Sequence, residues 1–119
     1  MLPALPPPVL EVFYSPVCAP CRLELPVLAD YMRNGNADRL RIVIISDEAR
    51  AREDLRAVSP RLEARAETRG DSPGETLRAS GNTSGILPYA RSVREEEVCA
   101  QWEGRLTPQR IDMLLAACE

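Results

Sequence analysis

Cys18 and Cys21 bracket the tetrad Cys18-Ala19-Pro20-Cys21, within Tyr14-Ser15-Pro16-Val17-Cys18-Ala19-Pro20-Cys21-Arg22-Leu23-Glu24-Leu25-Pro26. Thiols at this spacing can close a small disulfide ring, and a thiolate is the species that attacks a disulfide. An apolar run, Val9-Leu10-Glu11-Val12-Phe13, enters the tetrad and a helical pattern leaves it. A strand-to-helix junction would put Cys18 at a helix N-terminus, where unpaired N–H groups and the helix dipole stabilise a thiolate. Cys18 is therefore the expected nucleophile, and Cys21, one turn further in, the sheltered resolving thiol. Pro20 stiffens the ring and suits the first helical turn, where a missing N–H costs nothing.

The same pair has two plainer readings. Half of a zinc site would need a second pair of ligands, and the chain has no second CxxC and no histidine. Two inert buried cysteines would not need the junction position or the proline between them. Glu24 falls one turn after Cys21 on the same helix face, so its carboxyl can lie under that thiol. A buried carboxyl there has a raised pKa and can move protons. An exposed Glu24 would only complement the helix dipole.

The elements that must hold these residues follow in order. Val9 to Tyr14 reads as a buried strand. A helix is expected from Ala19 to Arg33, with Leu23, Val27, Leu28 and Tyr31 as its apolar stripe and a kink at Pro26. Asn34-Gly35-Asn36 stops it. Leu40 to Ile45 is a second strand, apolar enough to be central and parallel. Strand, helix, strand then puts the CxxC at the carboxyl end of the first strand, where open α/β sheets place their sites.

Ser46-Asp47-Glu48 caps a helix from about Glu48 to Val58, with Leu55 and Val58 inward, which Pro60 ends. Leu62 to Thr68 alternates weakly as an extra strand, Arg69-Gly70-Asp71 reads as a turn, and Pro73 to Ala79 as a short helix. Gly81 to Pro88 is a loop. Tyr89 to Val93 and Glu97 to Trp102 form a hairpin, with Arg91, Arg94 and Glu95 to Glu97 as solvated residues. Thr107-Pro108 opens a last helix whose inner face is Ile111, Leu114, Leu115 and Cys118.

One domain fits 119 residues, with residues 1–8 as a proline-rich lead-in and 9–119 as the folded unit. A net charge of −3 argues against nucleic acid as a partner. All of the basic residues are arginine, and without histidine any acid–base work falls to carboxylates, cysteines or tyrosines. No run approaches the ~20 apolar residues of a membrane span. The start lacks the basic and apolar regions of a signal peptide. The protein is expected to be cytoplasmic if this start is native, and periplasmic or membrane-tethered if a signal or anchor was trimmed from it.

The tetrad, the following Arg-x-Glu-x-Pro and the later Leu87-Pro88 step resemble the thioredoxin superfamily, in particular reductases of the cytochrome c maturation and membrane-tethered type. The likeness runs from about Val9 to Leu115. It implies an α/β fold with a central mixed sheet and helices on both faces. It implies a cis bond before Pro88, facing the CxxC, and places Leu87, Pro88 and Pro20 beside an extended substrate segment. It assigns Glu24 to proton handling for the cysteines. It implies a protein thiol–disulfide oxidoreductase, acting as a reductant, with Cys18, Cys21 and Glu24 as catalytic residues. No cofactor or metal is expected. Partners would be protein disulfides or dithiols and an upstream electron donor, and the chain would act as a monomer. The alternative is a binding or redox-sensing module of the same fold without turnover, though such modules often lose one cysteine. Two departures stand out: Val17 replaces the usual tryptophan before the first cysteine, and Val12 replaces the buried acid of thioredoxins proper.

Cys99 and Cys118 remain. Alternation groups Cys99 with Gln101 on one strand face and Val98, Ala100 and Trp102 on the other. The last helix returns Cys118 to a similar height, so the two thiols either bridge or stay free, and the facing of Cys99 decides between them.

Overall fold

Hydrophobic strands flanking Glu11 build the centre of the molecule. The computed structural model describes residues 5–70 and 72–119. Residues 1–4 of the expected lead-in, and Asp71 of the expected turn, lie outside the described residues. Strand β1 (Val9–Tyr14) pairs in parallel with β2 (Leu40–Ile44) and antiparallel with β4 (Tyr89–Arg94). The short β3 (Ala66–Glu67) extends the β2 side and β5 (Glu97–Glu103) the β4 side, giving the order β3-β2-β1-β4-β5. The sheet is mixed, as expected.

Alternation along the central strands divides the core. Leu10, Val12 and Tyr14 of β1, with Leu40, Ile42 and Ile44 of β2, face one way. They pack against α2 (Leu25–Tyr31), α3 (Glu48–Val58) and α6 (Pro108–Ala116). Phe13, Val43 and Tyr89 face the other way, against Leu77 of α5 (Pro73–Ala79). Helices therefore cover both faces. Each fully buried leucine or valine contributes roughly 1.5–3 kcal/mol by leaving water.

The helix after the CxxC departs from the expected single run. It divides into α1 (Ala19–Leu23) and α2, joined at Glu24. Pro26 has no N–H to return to the Arg22 carbonyl, so the ladder breaks just before it. The break turns the inner face to Cys21, Glu24, Leu25, Leu28, Ala29 and Met32, and Leu23, expected inside, is 61% exposed. Val58 is likewise outside; Ala51 and Leu55 form the inner face of α3. Of the expected strand from Leu62 to Thr68 only Ala66–Glu67 is extended. Pro60 starts a helical turn, α4 (Pro60–Glu63), capped by Ser59, and Leu62 is buried from it.

Arg91 is not solvated. Its Nε lies 2.6 Å from Oε1 of the fully buried Glu11, while Arg41 and Arg69 approach Oε2 at 2.7 and 2.8 Å. Glu11 stands opposite Arg41 on β2 and Arg91 on β4, so register alone brings these partners together. Burial would raise the Glu11 pKa, but hydrogen bonds from the three guanidinium groups outweigh it and hold the carboxyl below its ordinary value.

Candidate active site

The CxxC leaves the carboxyl end of β1, between β2 and β4. Ser15 is buried, with its hydroxyl 2.7 Å from that of Ser46. Its carbonyl accepts the Cys18 N–H at 3.1 Å. Cys18 is the N-cap of α1, and its sulfur accepts the Cys21 N–H at 3.2 Å. The two cysteines are joined as a disulfide with their Cα atoms 5.2 Å apart. Cys18 is half-buried and Cys21 is 2% exposed, so an approaching group meets Cys18 first. Pro20 is exposed in the first turn of α1, and the Arg22 guanidinium bends back to the Pro16 carbonyl.

Glu24 is 1% exposed, on the inner face one turn after Cys21. Its Oε1 accepts the Leu106 N–H at 2.6 Å. Burial pushes its pKa up to about 7, opposed by the Leu106 hydrogen bond and by the charge of Arg105. The loop carrying Leu106 is held from both sides. The Trp102 indole N–H donates to the Arg105 carbonyl at 3.1 Å, and the Arg110 guanidinium stacks 3.6 Å from the Trp102 ring centroid.

The Leu87–Pro88 bond is cis. Tyr89 pairs with Phe13, which sets the buried Pro88 level with Tyr14, at the strand end from which the CxxC departs. Leu87 and Cys18 pack against the same core cluster. Thus the fold gathers Cys18, Cys21, Glu24, Leu87 and Pro88 at one end of the sheet, with Pro20 on the adjoining surface.

Neither the protein-family models nor the curated proteins provide a match to this sequence. Solved structures do. The chain is similar to a secreted disulfide oxidoreductase of Mycobacterium tuberculosis, with 16% identity and a TM-score of 0.66 over 93% of this chain and 81% of that one. It is also similar to DsbF of that organism, at 19% identity and TM-score 0.66, over 97% and 83% of the two chains. A thio-disulfide isomerase from Thermus thermophilus matches at 24% identity and TM-score 0.59, over 92% and 78%. The chain has a thioredoxin fold.

Within this thioredoxin fold Val12 and Glu11 of β1 face opposite sides of the sheet. Val12 belongs to the cluster that contains Cys21, whereas the neighbouring Glu11 points into the arginines on the α5 side. The buried carboxyl on the CxxC side is Glu24. Sequence reading missed one contributor to the site, the Leu106 N–H, which no residue type could reveal; it also missed that Asn82, an ordinary turn residue by type in Gly81-Asn82-Thr83-Ser84-Gly85, is fully buried in the loop before Pro88.

Proposed function

We propose that the chain is an enzyme, a protein thiol–disulfide oxidoreductase that works as a reductant of protein disulfides. The observation that carries this reading is the Cys18–Cys21 disulfide at the carboxyl end of β1, beside a cis-proline. Similarity to solved structures named as disulfide oxidoreductase and thio-disulfide isomerase supports the reaction class. The reducing direction rests on the Cys-x-Pro-Cys form of the tetrad.

In the proposed cycle the Cys18 thiolate attacks one sulfur of a substrate disulfide. A mixed disulfide forms and the other substrate sulfur leaves as a thiolate. Cys21 then attacks Cys18, which closes the Cys18–Cys21 disulfide and releases the second substrate sulfur, now reduced. Cys21 must lose a proton for this step. Glu24, buried one turn away with a pKa of about 7, is suited to take that proton and to return it when the dithiol is restored. Leu87, Pro88 and Pro20 border the approach to Cys18, where an extended segment would lie. The test is reduction of insulin by the reduced protein in the presence of dithiothreitol. Accelerated precipitation of the B chain is expected; a rate equal to that with dithiothreitol alone overturns the reading in favour of a binding module.

Glu24 supplies a second expectation. With a folded pKa near 7 against an ordinary value of 4.5, the folded chain keeps a proton between those pH values that the unfolded chain releases. Its contribution is fully present below the unfolded pKa and is lost as pH rises through the folded one. Glu24→Gln keeps an acceptor for the Leu106 N–H and removes the titration. The melting temperature of wild type should therefore fall more between about pH 5 and about pH 8 than that of the variant. The variant should also alter the pH profile of insulin reduction. Identical profiles for both proteins would leave Glu24 without the proton-handling role.

A further inference from the structure

We propose that Asn82 and Ser84 fix the register in which an extended substrate strand docks beside Cys18, by occupying the backbone of Ile86 and leaving that of Leu87 open. The inference rests on the exchange activity proposed above and adds positioning residues to it.

Asn82 is fully buried, and its own N–H is tied to the Leu77 carbonyl at the end of α5, at 2.9 Å. Its side chain serves the loop ahead of the cis-proline. Nδ2 donates to the Ile86 carbonyl at 2.8 Å, and Oδ1 accepts the Gly85 N–H and the Ser84 hydroxyl, each at 2.9 Å. The Ser84 oxygen in turn accepts the Ile86 N–H at 3.2 Å, and its hydroxyl has a second acceptor at 2.9 Å in Glu103 of β5. Both backbone groups of Ile86 are thus satisfied within the loop.

The next residues differ. Pro88 has no N–H, and its carbonyl accepts the Gly104 N–H at 2.8 Å. The N–H and carbonyl of Leu87 have no hydrogen-bond partner among the described residues. From Ile86 to Pro88, Leu87 alone offers a free donor and acceptor. An added strand exchanges such groups with its neighbour, and a slip of one residue turns every side chain to the other face. With Ile86 closed, the substrate can pair only at Leu87, which sets which of its side chains points at Cys18. The Ile86 side chain, 55% exposed, remains as an apolar contact for that strand. The substrate class this selects is a disulfide carried on an extended segment, since a small disulfide has no register to set.

The experiment compares kcat/KM for a disulfide-bonded peptide with the rate on hydroxyethyl disulfide, in wild type, Asn82→Ala and Ser84→Ala. Each variant should lose about tenfold on the peptide, the factor one ordinary hydrogen bond carries, through KM. The rate on hydroxyethyl disulfide should stay within about twofold of wild type, because Cys18 and Cys21 are untouched. Equal losses on both substrates, or no loss on the peptide, would overturn the proposal. Should Asn82→Ala fail to fold, the exposed Ser84 still decides the matter. Wild type inactive on both substrates would instead defeat the exchange reading itself, and this inference with it.

Discussion

Cys18→Ser is expected to reduce insulin reduction to the rate of dithiothreitol alone. A hydroxyl at this position does not ionise in the working range and cannot form the mixed disulfide, so the first step has no nucleophile. Cys21→Ser should behave differently. Cys18 still attacks, but no thiol displaces the substrate, and a mixed disulfide through Cys18 should accumulate. The asymmetry follows from burial: Cys18 is half-buried at the N-cap, while Cys21 is enclosed by the core. Alkylation of the reduced protein by iodoacetamide at mildly acidic pH should therefore modify Cys18 first. If Cys21 reacts first, or if Cys21→Ser traps nothing, the assignment of the two roles is wrong.

Removing the second disulfide should have the largest effect on stability. Cys99 and Cys118 are bonded, with Cα atoms 5.0 Å apart and a sequence separation of 19. A cross-link closing a loop of that length withdraws unfolded-state entropy worth about 3 kcal/mol. That is a large share of the roughly 5–15 kcal/mol that keeps a domain folded. The double change Cys99→Ser with Cys118→Ser should lower the melting temperature by about 10 °C. The bridge ties the end of α6 to β5, and the loop between them carries Leu106 to Glu24. Part of the loss should accordingly appear as a changed pH profile of exchange. A melting temperature within about 2 °C of wild type would show that non-covalent contacts, such as those of Ile111 and Leu114, suffice to hold α6.

This bridge also marks how far the sequence could be read. Strict alternation groups Cys99 with Gln101, across the strand from Ala100 and Trp102, which pack on the α6 side. In the structure Ser92 pairs with Ala100 and Val93 with Val98, leaving Cys99 as the extra residue of a bulge. The bulge lets Cys99 reach α6 without moving Ala100 and Trp102 from that face. Nothing in Val98-Cys99-Ala100 announces it. The CxxC junction, the parallel pairing of β1 with β2 and the last hairpin were legible because local chemistry and hydrophobic period point the same way there, while Pro88 was legible only through the family resemblance. Glu24 was legible as a candidate from its spacing to Cys21, but its burial depends on a loop of distant residues. The misplacing of Leu23 has a similar source. A kink was expected at Pro26, but one apolar stripe was still drawn across it, and the full break at Glu24 rotates the inner face. Arg91 read as solvated because charge usually is, whereas its partner Glu11 lies 80 residues away in sequence and is brought opposite it only by strand register.

The central claim is that electrons pass between a protein disulfide and the Cys18–Cys21 pair. It is tested most directly by mixing the reduced protein, with Cys99–Cys118 left intact, with one equivalent of a disulfide-bonded peptide and mapping the products by mass spectrometry. The account predicts that the peptide gains two hydrogens while the protein loses two, with the new bond found between Cys18 and Cys21 and Cys99–Cys118 unchanged. A peptide still oxidised beside a protein that keeps Cys18 and Cys21 as free thiols would contradict it.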